Sequence, residues 1–179
     1  MKVFIAGKKP NELLAISPLS GRYKNKLTEL EELTSEFALI KARVGVEIKY
    51  LFALSEIKLI KLSNQEKRKL LGVIKNFELE DAIKIKQIEE KTKHDVKAVE
   101  IYLRSYLSDK NSEMVHFGLT SEDINNTAYR IMLRSASSEV IMPILKNLAN
   151  ELLKNAKQYK SLSMLARTHG QAAVPTTLG

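Results

Sequence analysis

Apolar residues recur along this chain at steps of three and four, the spacing of one buried helical face. From Asn25 to about Ile60 the stripe runs through Leu27, Leu30, Leu33, Phe37, Ile40, Val44, Ile48, Leu51 and Leu54, and it predicts one long helix. Gly45 lies inside that stripe; because glycine weakens a helix, it marks close packing. Ser63 and Glu66 stand three apart, as in a capping box, and open a second helix that ends near Asn76. A third helix is predicted over about 79–91, with Leu79, Ile83 and Ile88 inward. A fourth runs from about Asp95 to Leu107, with Val96, Val99, Leu103 and Leu107 on one stripe.

The polar run "SDKNSE" at 108–113 is the clearest break. It divides an expected N-terminal helical domain, residues 1–111, from the beginning of a second domain, 112–179. In that second part a helical pattern extends from about 121 to 159 and contains Pro143. Proline costs about 3 kcal/mol inside a helix, so the expectation is a kink or two helices in sequence. So long an element has few partners within the sequence and reads as half of a bundle. The final stretch, "KSLSMLARTHGQAAVPTTLG", leaves the helical pattern without an alternation of useful strand length. Ahead of the first helix, Gly7, Pro10, Pro18 and Gly21 predict an irregular, ordered arm. The predicted fold class is all-α: a helical N-terminal domain followed by the start of a long-helix bundle.

Composition narrows the function classes. There is no Cys, which excludes disulfides and thiolate metal sites and fits a reducing compartment. No stretch approaches the ~20 apolar residues of a membrane span, and the N-terminal apolar run is too short for a signal peptide. The cytoplasm is therefore the expected location. The net charge of +8 would suit an anionic partner. Its lysines are scattered along helical patterns, however, as on a solvated surface. A nucleic-acid module would need them on one continuous face.

All three histidines sit at predicted helix ends or breaks: His94 in "TKHDVKAVE", His116 in "VHFGLTSED" and His169 in "RTHGQ". Histidine is the side chain most easily tuned to move a proton near neutral pH. Taken singly, each could equally be a surface or capping residue. Zinc ligands come as close pairs with Cys or carboxylate, and these spacings do not supply them. Asp95 follows His94 directly, and neighbours in sequence do not face one another on a helix. Asp95 therefore reads as a cap for the helix at Val96. "LTSEDI" admits two readings. Thr120 and Asp123 could cap a helix. Alternatively, Thr120, Ser121 and the free N–H groups of that helix start could bind an anion. Arg22 beside Tyr23 suits a phosphate or carboxylate, or is an exposed arginine in a turn. No phosphate-binding glycine loop and no Ser-His-Asp set can be argued from the spacing.

Taken together, "AISPLSGRY", "TKHDVKAVE", "VHFGLTSEDINNTA" and "ARTHGQAAVPTTLG" resemble the adenylosuccinate lyases of the fumarase/aspartase superfamily. The four motifs come in family order from about Ile16 to Gly179. The resemblance implies an all-helical homotetramer with a central bundle, acting without metal or organic cofactor. It implies release of fumarate from adenylosuccinate, leaving AMP, and from the succinylated aminoimidazole carboxamide ribotide. It implies a small anionic substrate, with no nucleic acid or membrane as partner. It assigns His169 as general acid, and Thr120 and Ser121 to the succinyl carboxylates. Arg22 and Tyr23 fall near the phosphate, and Lys93, His94 and Asp95 form a substrate-contacting triplet. His116 and Gln171 line the site. Lys93 departs from the Asn or Arg common in the family, although a cation there still suits an anion. Family members are more than twice as long, so the resemblance implies an N-terminal portion, inactive alone, whose base lies outside these residues.

Overall fold

The computed structural model describes residues 15–179. The expected breakers Gly7 and Pro10 lie outside the described residues. The chain forms two compact units that part between Ala136 and Ser137. Among the described residues, every regular element except one two-stranded sheet is helical.

The described part of the first unit starts with turns in which Ser20 and Gly21 donate backbone N–H bonds to the Ser17 carbonyl, followed by a 3-10 turn at Lys24–Lys26. Helix α1 spans Thr28–Thr34 and α2 spans Glu36–Glu56. The single helix expected from Asn25 to Ile60 is thus divided. Ser35 takes extended backbone (φ −74°, ψ 171°), and its hydroxyl accepts the Ala38 N–H at 3.3 Å. A serine that satisfies a free helix-start donor gives the chain a way to restart, while the apolar period continues across the break.

Helix α3 (Asn64–Lys75) starts at the expected Ser63–Glu66 capping box. Helix α4 spans Leu79–Thr92 and α5 spans Asp95–Arg104. The inward face of α4 differs from expectation. Ala82 and Ile85 are buried and Ile88 is partly buried, while Leu79 and Ile83 are exposed. Two apolar sets compete on this helix, and the one containing the small Ala82 faces the packed neighbours. A short α6, Asp109–Ser112, stands where the sequence break was read.

The core gathers around α2. Ile40, Val44, Ile48, Leu51 and Leu54 meet Leu70 and Val73 of α3, Ile85 of α4, and Val99 and Leu103 of α5. Several of these are wholly removed from water, and each such aliphatic side chain contributes about 1.5–3 kcal/mol of hydrophobic free energy. Glu66 ties α3 to α6. Its carboxylate accepts from the Ser63 N–H and hydroxyl at 2.8 and 2.7 Å, and from the Ser108 N–H and hydroxyl at 3.0 and 2.9 Å. It also accepts from the Asn111 amide at 3.0 Å.

Helix α7, Ser121–Ser135, packs on α2 through Ile124 and Ala128. A π-helical segment, Ala136–Ile141, precedes α8, Met142–Tyr159. The pattern across 121–159 is therefore two helices in sequence. Pro143 lies in the first turn of α8, where its missing N–H costs little.

In the second unit, α8 exposes Ile144, Leu145, Leu148, Leu152 and Leu153. Strands β1 (Ser163–Thr168) and β2 (Gln171–Thr177) form an antiparallel hairpin. No strand alternation of useful length marks this stretch in the sequence. Pro175, paired with Leu165, reads as a strand breaker, and the register shifts between Leu165 and Arg167. A proline is tolerated next to such an irregularity. Among the described residues no helix is long and apolar enough to cross a membrane.

Candidate functional site

Four non-glycine residues of the described chain have positive φ: Lys58, Lys93, His116 and His169. Three of them are candidate site residues. Left-handed backbone is uncommon outside glycine and collects where a side chain must be aimed.

Lys93 closes α4 with φ 56°, and its N–H bonds the Glu89 carbonyl at 2.7 Å. This is the helix-ending position that glycine favours. Lys93→Gly is expected to raise stability by about 0.5–1 kcal/mol in urea unfolding, because glycine takes this backbone without strain. An unchanged or lower stability would mean that the lysine side chain stabilises the site in another way.

His94 is the N-cap of α5, and its Nδ1 accepts the Lys97 N–H at 3.2 Å. The cap is thus His94, one residue earlier than expected. Asp95 occupies the first helical position and accepts the Val96 N–H at 2.8 Å. Its other oxygen meets the Arg43 guanidinium at 2.6 Å. Burial alone would raise the Asp95 pKa, but the Val96 N–H and Arg43 outweigh it and lower it. Asp95 therefore stays ionised, and Arg43 fixes it.

His116 lies in the turns before α7 with φ 64°. Its Nδ1 is 2.6 Å from Oε1 of Glu47, a fully buried residue of α2. Two residues on, Gly118 also has positive φ, at 71°. These two left-handed positions turn the chain toward Thr120. The Asp123 carboxylate accepts from the Thr120 N–H at 2.8 Å and from its hydroxyl at 3.2 Å. The capping reading of "LTSED" is thus realised in the structure. Ser121, the first residue of α7, is only partly buried.

Arg22 and Tyr23 stand together on the exposed turn after Gly21, with the guanidinium carbon 5.5 Å from the ring centre. No hydrogen bond or ion pair among the described residues joins them to the other candidates. A concavity of about 720 Å³, lined by Lys58, Leu62, Lys67, Lys110 and Met114 among others, contains none of the candidates. An open cavity with a lysine rim is weaker ground for chemistry than the bonded cluster around α2.

In the second unit, His169 and Gly170 form the two-residue turn between β1 and β2, with φ 50° and 75°. Two positive φ values in a two-residue hairpin turn match the type I′ geometry. Gln171 begins β2, paired with Thr168. The turn presents the exposed imidazole at the tip of the hairpin.

Sequence reasoning missed Arg43, Glu47, Asn125 and Tyr50. Arg43 Nε donates to Asn125 at 2.9 Å, and the Tyr50 hydroxyl donates to the Phe117 carbonyl at 2.7 Å. A signal was present: Arg43 and Glu47 flank Val44 in the most apolar stripe of the chain, and charged residues in such a stripe need partners. Among the described residues no three His, Asp or Glu side chains gather as they would around a metal ion.

A family model described as "Lyase" matches residues 11–179. The chain is 44% identical over 176 residues to adenylosuccinate lyase of Haemophilus influenzae, covering 93% of this chain and 39% of that protein. It is 47% identical over 181 residues to adenylosuccinate lyase of Dictyostelium discoideum, covering 94% of this chain and 39% of that protein. It also resembles the solved structure of a fumarate lyase from Mesorhizobium sp. BNC1. The TM-score is 0.70 at 21% identity, over 84% of this chain and 34% of that one, a likeness of fold alone. The chain spans about 39% of the length of these curated relatives.

Proposed function

Because the chain belongs to the lyase family, whose model matches residues 11–179, we propose that it carries part of the active site of an adenylosuccinate lyase. The reaction releases fumarate from adenylosuccinate, leaving AMP, and from the succinylated aminoimidazole carboxamide ribotide. The observation that carries this reading is the 40–47% identity to curated adenylosuccinate lyases over nearly the whole chain. The family match also spans every candidate from Arg22 to Gln171.

In this reading the chemistry is an elimination. A base takes the proton beside a carboxylate, and the resulting charge spreads into that carboxylate. An acid protonates the departing nitrogen. His169 is the acid: imidazole is suited to proton transfer near neutral pH, and the hairpin turn holds it at an exposed tip. Ser121 and Thr120, at the start of α7, hold the carboxylate that gains charge, helped by the positive end of the helix. Asp123 already occupies the Thr120 hydroxyl, so Ser121 is the freer hydrogen-bond donor of the two. Arg22 and Tyr23 take the phosphate. Lys93, His94 and Asp95 contact substrate, with Asp95 fixed by Arg43, and His116 and Gln171 line the site. The enzyme is a cytoplasmic homotetramer.

Binding experiments on an active enzyme that carries this chain separate the two ends of the substrate. Ser121→Ala is expected to weaken binding of fumarate roughly tenfold and of AMP much less, as loss of a hydrogen bond to a charged group would. Arg22→Ala should give the reverse. If AMP affinity falls most in Ser121→Ala, the start of α7 belongs to the phosphate. If neither variant changes either affinity, the proposed site is wrong.

A further inference from the structure

Helix α2 directs three polar side chains, Arg43, Glu47 and Tyr50, at i, i+4 and i+7. Each reaches a segment that holds candidate site residues. Arg43 bonds Asp95 and Asn125, and Tyr50 bonds the Phe117 carbonyl. Between them, Glu47 meets His116 at 2.6 Å.

Glu47 differs from its two neighbours in its surroundings. It is wholly buried, and among the described residues its Oε2 has no hydrogen-bond partner. No Lys or Arg forms an ion pair with it among the described residues. The other charged group that bears on it is Glu100 of α5, also an acid, whose carboxylate is taken by Lys97 at 2.6 Å and approached by Arg104 at 4.0 Å. Burial pushes the Glu47 carboxyl up, and the bond from His116 offsets only part of that. A buried negative charge without a cation is costly, and the imidazole is the neutralising partner at hand.

From this geometry we infer that Glu47 is a positioning residue that keeps His116 protonated at Nε2, so that the imidazole offers an N–H donor to an anionic group of the substrate. The pair is electrically neutral when it holds two protons. If the inner proton is on Nδ1, an imidazolium faces a carboxylate. If it is on Oε1, a neutral imidazole accepts from a carboxylic acid. In both arrangements the second proton is on Nε2. Removing it leaves a net negative pair in the interior, beside Glu100. The left-handed backbone of His116 and its Nδ1 anchor together fix the ring. Nε2 makes no hydrogen bond among the described residues, so its donor is free for a ligand. The inference rests on the proposed function for the anionic nature of that ligand.

The test has one arm without substrate and one with it. In protein labelled with ¹⁵N-histidine, the His116 ring is identified by the signals lost in His116→Asn. Nε2 is expected to give the signal of a protonated nitrogen at pH 7. In Glu47→Leu the ring loses its Nδ1 anchor, and both nitrogen signals should move to those of a ring averaging over its protonation forms, distinct from the wild-type pattern. In an active enzyme, Glu47→Leu should raise KM for adenylosuccinate roughly tenfold and change kcat less. Added to His116→Asn it should cost nothing more, because Glu47 acts through the imidazole. An unprotonated Nε2 at pH 7 in the wild type overturns the inference, as do additive effects of the two substitutions. If Glu47→Leu does not fold, Glu47→Gln, which keeps the shape and removes the charge, takes its place in both arms. If the enzyme does not turn over adenylosuccinate, the proposed function fails, while the ring spectra still decide the role of Glu47.

Discussion

His169→Ala, in an active enzyme that carries this chain, is expected to lower turnover by ~10²–10⁴, the usual contribution of a positioned general acid. Substrate should still bind, because the groups assigned to the phosphate and the succinyl end are untouched. The motivation is the placement of His169. It occupies the first position of a two-residue hairpin turn with φ 50°, where asparagine or glycine is the easier choice. A histidine kept there bears strain that folding does not require. The comparison variant is His169→Asn, which suits the turn but cannot donate a proton as imidazolium does. It should fold at least as well as the wild type and be as slow as His169→Ala. Turnover of either variant within about twofold of wild type would remove His169 from the chemistry.

The second large effect concerns stability. Glu66→Ala is expected to cost about 3 kcal/mol at pH 7, measured by urea unfolding followed by circular dichroism. The substitution leaves the Ser63 and Ser108 N–H groups without their acceptor and takes one of the two acceptors of the buried Asn111 amide, which keeps the Lys61 carbonyl, and each orphaned donor costs about 1–3 kcal/mol where water cannot replace it. The same carboxylate makes the fold sensitive to acid. Burial alone would raise its pKa, but the bonds from Ser108, Asn111 and Ser63 outweigh burial and lower it from an ordinary 4.5 to about 2. A lowered folded-state pKa means that the unfolded chain binds the proton more readily. The contribution is therefore complete above about pH 5 and is lost as pH falls toward about 2, on the order of 3 kcal/mol in all. Glu66→Ala should show a flatter stability profile across that window. Equal slopes for the two proteins, or a loss under about 0.5 kcal/mol at pH 7, would contradict this account.

Glu66 also shows what was legible in the sequence. Its bond to Ser63 is local and announces the start of α3 three residues ahead. Its bonds to Ser108 and Asn111 span more than forty residues, and no periodicity encodes them. The same division runs through the candidate site. Thr120 with Asp123 and the turns at His94, His116 and His169 could be read from motifs and breakers. That Arg43 holds Asp95 and Glu47 holds His116 depends on how α2 packs against the start of α5 and the turns before α7. The failures at secondary-structure level have local causes. Ser35 interrupts a helix whose apolar spacing never falters. In α4, Leu79 and Ile83 offered one apolar face and Ala82 with Ile85 another, and periodicity alone did not decide between them. The hairpin was hidden because Pro175 and Gly170 read as loop residues, and its strands have no buried face to impose an alternation.

The His169–Gly170 turn also predicts how such a gene would decay. In a lineage freed from selection for catalysis, the hairpin would still have to fold, and β-branched replacements would be purged at a position with positive φ. Asparagine and glycine meet the demand of the backbone at less cost than histidine. Substitution at position 169 should therefore drift first toward these two residues, while Gly170 stays in place. If His169 is the proposed acid, a descendant chain with Asn or Gly at position 169 and an otherwise intact α2 would be a retained scaffold without that chemistry.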